Sequence, residues 1–419
     1  MKQLDRGVFV RMARPVGIYI SIPFCKAKCT FCNFASGVFG AGRMQQYVER
    51  LCDEIRLSHV AAGKMAASLP RVVDTIYFGG GTPSLLSATQ FQQIFECLRG
   101  EFDIAADAEI TLECAPGQLT DETLNELLRQ RMNRISFGVQ SFVDEETAAV
   151  GRLHTGLECE AEFRRVRAAG VRGINVDLIA GLPHQNAQSW RFSVEKAIAS
   201  DAAHVSVYML EVDDQSRLGR EMLAKGSRYS ASSLPNEDQA AEWYQQACAV
   251  LEDAGVHQYE ISNFARPGYR SRHNLKYWER QPYLGFGLDA HSMLKAGDRA
   301  VRFANTSDLD RYLGQAAAST PFDSLKSAAN DIASEIDVIG RFEAFEESLF
   351  LGLRLNEGVD LGDLRGEFGD DLLNDAMSAL REVRDAGLLE LEADRIRLTT
   401  SGRMASNEVF SRLLITAAA

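Results

Sequence analysis

Short runs rich in Val, Ile, Phe and Tyr recur through the first half of the chain: GIYIS from Gly17, TIYFGG from Thr75, EITLE from Glu109, RISFGVQS from Arg134, GINVDLIAG from Gly173 and HVSVYML from His204. Their length and β-branched content predict six strands. Between them apolar positions recur at helical spacing, in MQQYVERLCDEIRL from Met44, ATQFQQIFECLRG from Ala88, DETLNELLRQ from Asp121, ECEAEFRRVRAAG from Glu158 and SWRFSVEKAIAS from Ser189. Thr120 and Asp121 supply a cap for the third helix, and Gly170 a closing glycine for the fourth. Strict alternation implies parallel strands joined by right-handed crossovers, as an open doubly wound sheet or a full or partial (β/α) barrel. Six units fall short of the eight that close a barrel.

Past about residue 215 the alternation stops. A polar stretch, GREMLAKGSRYSASSLPNEDQ, leads into a helix, EWYQQACAVLEDAG, and an aromatic, basic segment, YEISNFARPGYRSRHNLKYW; a more variable region follows near 305 to 335. Two helical patterns, FEESLFLGLRL and LLNDAMSALREVRDAGLL, then two short strands in EADRIRLTTSGR, give the end of the chain a winged-helix-like pattern. The expected organisation is a core over 1–215, an extension over 216–335 and a C-terminal helical module over 336–419. Met12 is a second candidate start, and nothing before it is needed for the core.

Composition narrows the function. With 46% hydrophobic and 25% charged residues the chain reads as a soluble globular protein. A net charge of −13 disfavours partners held by attraction to phosphate backbones or anionic lipid. The C-terminal module would otherwise suggest DNA, but residues 341–419 hold 9 Arg, no Lys and 16 acidic residues. It is read as a lid or docking module. The N-terminal stretch has no apolar run of signal-peptide length and no later stretch approaches a membrane span, so the expected address is cytoplasmic, with no nucleic acid and no membrane span.

Three of the eight cysteines, Cys25, Cys29 and Cys32, crowd into one polar loop after the first strand, while the other five lie singly in apolar stretches and read as small buried hydrophobes. Three thiolates on a short loop can hold one face of an iron–sulfur cubane and leave one iron open. Structural zinc is the alternative, but it wants four ligands and the loop offers no fourth Cys or His. Gly79-Gly80-Gly81-Thr82-Pro83, after the second strand, offers bare backbone groups to a ligand. Both loops fall on the C-terminal face of a parallel sheet, where such folds place their sites. The same face collects Glu113, Gln140, Ser141, Arg152 and Asp177. A buried carboxylate there needs a partner or a ligand cavity, and an Asp177–Arg152 ion pair is the plain structural alternative.

With CxxxCxxC at 25–32, GGGTPSLL at 79–86, GVQSF at 138–142, GRLHT, DLIAGLP and YEISNFARPG followed by SRHNLKYW, the chain resembles the oxygen-independent coproporphyrinogen III oxidases, a family of radical S-adenosylmethionine (SAM) proteins. The resemblance covers almost the whole chain. It implies a partial (β/α)6 radical SAM barrel with a C-terminal module like that of the oxidases. It also implies a [4Fe-4S] cluster on Cys25, Cys29 and Cys32 whose open iron takes SAM. Position by position, Tyr19, Phe31, Gly80, Gly81, Thr82, Glu113, Gln140, Arg152 and Asp177 match SAM-contacting residues of the family.

Two departures bear on the branch. The oxidases have a further cysteine two residues after the third, where this chain has Phe34, and Ser21 stands in place of a histidine. Cys114 replaces a usual alanine, and Asp289 a usual glycine. The HNxxYW of the haem-chaperone branch is present as His273-Asn274-Leu275-Lys276-Tyr277-Trp278. The resemblance therefore implies a chaperone that binds cluster, SAM and haem and delivers haem to an acceptor protein, such as one of the respiratory chain. His273 would be the haem ligand, Tyr277 and Trp278 a stacking surface, and Arg266, Arg270, Arg272, Lys276 and Arg280 a positive cluster for propionates. His291 is a second candidate ligand. A radical enzyme acting on a porphyrin is the alternative.

Overall fold

The computed structural model describes residues 14–226, 228–314 and 336–414. Met12 and the stretch 315–335 of the variable region lie outside them. The six expected strands are β1 (Val16–Ile22), β2 (Val72–Gly80), β3 (Asp103–Cys114), β4 (Arg134–Gln140), β5 (Gly173–Ala180) and β6 (His204–Met209). They pair in chain order and all in parallel. Helices α1 (Ala41–Lys64), α2 (Ala88–Glu101), α3 (Asp121–Arg129), α4 (Asp144–Ala149), α5 (Gly156–Ala168) and α6 (Ala187–Ala199) intervene, and α7 (Arg217–Leu223) and α8 (Glu237–Asp253) follow β6. The Thr120 side chain accepts from the Thr123 amide at the start of α3, and Gly170 follows α5 with φ 101°.

The strands alternate between two environments, as the period of two requires. One set packs against the helices: Ile18, Ile20, Phe78, Leu112, Phe137 and Val176 join Leu51, Phe91, Phe163 and Trp190 in a single core. The other set, including Tyr19, Tyr77, Glu113, Ser136, Asn175 and Asp177, is polar or aromatic and faces away from that core, with Tyr77 stacked on His273 at 5.2 Å between ring centroids. Cys52, Cys97, Cys114 and Cys159 are buried and Cys248 half-buried.

Among the described residues the barrel does not close. Beyond β6 the sheet continues antiparallel through β7 (His257–Gln258) and β8 (Asn263–Ala265), with β8 next to β6. On the other side β9 (Tyr283–Phe286) lies parallel to β1, and β10 (His291–Ala296), β11 (Arg299–Ala304) and β12 (Ile336–Ile339) follow antiparallel. Residues after β6 thus extend both edges of one twelve-stranded sheet.

The C-terminal module has its own core, with Phe345, Leu349, Phe368, Leu380, Val383 and Ile396. Its helices, Arg341–Gly352 and Leu361–Asp385, the second broken at Gly369, pack with a three-stranded antiparallel sheet. Glu347 ties the module to the barrel through Arg280 at 2.9 Å and Arg302 at 2.7 Å. Among the described residues no helix is long and apolar enough to cross a membrane.

Candidate cluster and cofactor site

The cysteine loop leaves β1 and is held by its backbone. The Cys25 amide donates to the Gly37 carbonyl at 2.9 Å, the Thr30 amide to Val150 at 3.1 Å, and Leu218 to Thr30 at 2.9 Å. Lys28 Nζ donates to the carbonyls of Phe34 and Ser36 at 2.9 and 3.0 Å. Cys25, Cys29 and Cys32 are all unpaired and half-buried. Burial raises the Cys32 thiol, and neighbouring Cys29 adds to the cost of a thiolate, so a cation such as iron is what would hold it ionised. Among the described residues no three of His, Cys, Asp and Glu gather closely enough for one metal ion. A cubane does not ask that of them, because each thiolate binds a different iron.

The glycine run after β2 presses on this loop. The Gly81 amide donates to Ile22 and the Thr82 amide to Phe24, at 2.8 and 2.7 Å. A Cβ at Gly81 would stand 2.8 Å from both carbonyls, and Gly80 has φ 102°. Part of the glycine requirement therefore comes from close passage of two backbones, not from a ligand alone.

The remaining predicted residues converge on the same face. Arg152 Nη1 lies 3.5 Å from Cys29 Sγ, and its Nη2 donates to the Gly138 carbonyl beside Gln140, which ends β4 with φ 69°. Phe31 packs with Val150, Ile179 and Leu182. Tyr19 is half-buried beside Tyr77, ring centroids 6.0 Å apart. Tyr77 donates its hydroxyl to Glu113 at 2.9 Å, and the Gly80 amide donates to the other Glu113 oxygen at 3.2 Å. Asp177 accepts from Asn175 at 2.7 Å and from Ser136 at 3.2 Å. Its hydrogen bonds run to Asn175 and Ser136 and not to Arg152, so the simple ion-pair alternative is set aside. Ser141 leaves the site: its hydroxyl donates to Glu146 at 2.6 Å, under the helices.

Burial, with Asp177 nearby, raises Glu113 from the ordinary 4.5 to about 7. Asp177 is raised too, again chiefly by burial. The pocket therefore favours a cationic ligand group that would return these acids to carboxylates. The sign follows: folding takes up a proton at Glu113 between about 4.5 and 7, so its contribution to stability is full below the lower value and is lost as pH rises to the upper one. Glu113→Gln is expected to flatten that part of the stability profile of the ligand-free protein, measured by urea unfolding from pH 5 to 8. An unchanged slope would refute the assignment.

Sequence reasoning missed the polar wall that completes this cavity. His204 bridges Asn175 at 2.6 Å and the Tyr259 hydroxyl at 2.9 Å, and Asn175 also donates to Ser136 at 2.6 Å. The signal was available as polar residues at alternate positions of otherwise apolar strands.

The HNLKYW segment is helix α9 (Arg272–Trp278), and there the expectations need correction. His273 is 1% exposed; its Nδ1 meets the Thr75 hydroxyl and its Nε2 the Tyr277 hydroxyl, both at 2.9 Å. Burial lowers it to about 3, so it is neutral and, as placed, offers no nitrogen to an iron. The expected positive cluster is consumed by acids from distant parts of the chain. Lys276 pairs with Asp74 at 2.8 Å, Arg280 with Glu347 at 2.9 Å, Arg270 with Glu357 at 2.6 Å and Arg266 with Asp201 at 3.5 Å; Arg272 lies between Asp74 and Asp107. Trp278 is covered by the Arg354 guanidinium, 4.4 Å from its ring centroid. Tyr277 does reach an open cleft of about 340 Å³, which it lines with Tyr19, Phe34, Tyr283, Asp289 and His291.

Comparison with known proteins agrees with this architecture. The profile of the Radical SAM superfamily matches residues 19–197, and that of the HemN C-terminal domain residues 341–405. The heme chaperone HemW of Bacillus subtilis is 32% identical over 94% of this chain and 98% of its own length, and that of Lactococcus lactis 30% identical over 96% and 98%. The Escherichia coli protein of that name is 34% identical over 70% of this chain and 74% of its own. Among solved structures, the coproporphyrinogen III oxidase HemN of Escherichia coli, a radical SAM enzyme, superimposes with a TM-score of 0.77 over 96% of this chain and 90% of its own, at 24% identity.

Proposed function

Because the chain belongs to the haem chaperone HemW family of radical SAM proteins, we propose that it is a cytoplasmic haem chaperone that carries haem to an acceptor protein, such as one of the respiratory chain. Cys25, Cys29 and Cys32 hold a [4Fe-4S] cluster in this reading. A bound cluster supplies an electron and an open iron for the amino and carboxylate groups of SAM. The protein's own part is positioning. Glu113 and Asp177 offer buried acids to cationic or hydroxyl groups of SAM, Gly80, Gly81 and Thr82 offer backbone groups, and Tyr19, Phe31, Gln140 and Arg152 complete the walls.

The observation that carries the reading is the meeting of the cysteine loop, the glycine run and the buried acids on one face of the barrel, beside a cleft with aromatic walls. Phe34, 63% exposed, stands in the cleft wall where the oxidases carry a further cysteine. That replacement favours haem handling over porphyrinogen oxidation. The intact SAM residues favour the second reading, a radical enzyme acting on a porphyrin.

Anaerobically reconstituted protein, titrated with haem and separately incubated with dithionite, SAM and coproporphyrinogen III, distinguishes them. Stoichiometric haem binding without substrate-dependent 5′-deoxyadenosine is the expected result. Substrate-dependent 5′-deoxyadenosine with loss of porphyrin carboxyls would overturn it in favour of the enzyme.

A further inference from the structure

Resting on the SAM reading, we infer that His204 is a positioning residue: with its ring proton on Nδ1 it directs a one-way chain of hydrogen bonds through Asn175 that holds the Asp177 carboxylate ready to accept from SAM.

The chain is built by strand register. A period of two turns Asn175 and Asp177 of β5 to the same face. In the parallel pairing Ser136 of β4 and His204 of β6 stand opposite Asn175, and Ser206 stands opposite Asp177. His204 is 1% exposed, and Asn175, Ser136, Ser206 and Tyr259 are buried with it, so their protons must be matched to acceptors within the barrel. These groups share one small polar cavity with Glu113 and Asp177.

Two ends of the chain fix its direction independently. At one end the Ser271 amide, which can only donate, gives its hydrogen to the Tyr259 hydroxyl oxygen at 3.3 Å. The Tyr259 proton then goes to the other partner of that hydroxyl among the described residues, His204 Nε2 at 2.9 Å, which must be unprotonated to receive it. Burial keeps the ring neutral, so its single proton is on Nδ1 and is donated to Asn175 Oδ1 at 2.6 Å. At the other end Asp177, as a carboxylate, can only accept: Asn175 Nδ2 donates to its Oδ1 at 2.7 Å, and the Ser136 hydroxyl to its Oδ2 at 3.2 Å. That turns the Asn175 oxygen toward His204 and demands the same ring proton. Both ends select one tautomer, as hydrogen-bond partners do for an imidazole.

Asn175 does not choose this orientation alone. Ser206 Oγ lies 3.2 Å from its nitrogen and 3.3 Å from its oxygen, and a hydroxyl serves either way round. The direction comes from His204. Its effect is to give each Asp177 oxygen one donor, which favours the charged form against burial and fixes the carboxylate plane, with lone pairs left for a hydroxyl or ammonium group.

Two measurements on the full chain test this. In protein with isotope-labelled histidine, ring-nitrogen NMR is expected to show His204, identified by the signals lost in His204→Gln, as a neutral ring protonated at Nδ1. Protonation at Nε2 would overturn the assignment, and this readout needs neither cluster nor SAM. In anaerobically reconstituted protein, SAM affinity measured by equilibrium dialysis is expected to fall roughly tenfold in His204→Leu, the cost of leaving a buried hydrogen bond unmade, and by no more than about threefold in His204→Gln, which carries a donor and an acceptor of its own. Adding His204→Leu to Asp177→Asn is expected to cost little further, because the chain then has no carboxylate to hold. Unchanged SAM affinity in folded His204→Leu, or the full loss recurring in the Asp177→Asn background, would overturn the positioning role. Should His204→Leu not fold, the tautomer alone decides. Failure of the unmodified reconstituted protein to bind SAM would instead overturn the SAM reading, and this inference with it, whichever tautomer the ring shows.

Discussion

Anaerobic protein carrying Cys25→Ala is expected to lose its iron and sulfide, from about four of each per chain to near zero, together with the absorption near roughly 400 nm of iron bound to thiolates. Two remaining thiolates cannot hold a cubane against loss to solvent, and among the described residues no other cluster of ligating side chains stands ready to replace the third. The fold is expected to survive the change. Cys25 is half-buried, and the loop keeps its hydrogen bonds to Gly37, Val150 and the α7 helix (Arg217–Leu223) that begins beside it. The thermal midpoint of the cluster-free variant should therefore match that of cluster-free wild type. Iron retained at wild-type levels, or zinc in its place, would refute the cluster assignment.

The second large effect concerns stability. Glu347→Ala is expected to cost about 3 kcal/mol, the low end of the range for removing one partner from a buried ion pair. The Glu347 side chain is 10% exposed and answers two guanidiniums, Arg280 at 11% and Arg302 at 32%. Truncation strands both charges, and only Arg302 has ready access to water. The same carboxylate joins the C-terminal module to the barrel edge, so urea unfolding should show an earlier midpoint and the module separating first. Glu347→Gln, which keeps a hydrogen-bond acceptor, should cost less. Coincident midpoints for wild type and Glu347→Ala would show that the module is held by its apolar contacts alone.

The six parallel strands and their helices were legible because each is long enough to carry its own period. The caps at Thr120 and Gly170 were legible because capping is local chemistry. The cysteine triplet and glycine run were legible because ligands and bare backbone lie close together in the chain. The edge strands were not: β7 and β8 hold two and three residues, and their state comes from the edge they pair with. The propionate cluster failed for a related reason. Basic residues between Arg266 and Arg280 are neighbours in sequence, but their acids come from Asp74, Asp107, Asp201, Glu347 and Glu357.

By itself the sequence determined the barrel's order, the face that carries the site and the residue types on it, because strand period and loop placement follow from local spacing alone. Tertiary structure alone decided which side chains remain open to a ligand. Whether an imidazole is buried between Thr75 and Tyr277 or turned toward an aromatic cleft depends on how α9 and β10 pack against segments some 200 residues away, as with Thr75 and His273, 198 apart. A hydrogen bond formed across that separation removes a candidate ligand just as completely as a mutation would, and no local pattern records it.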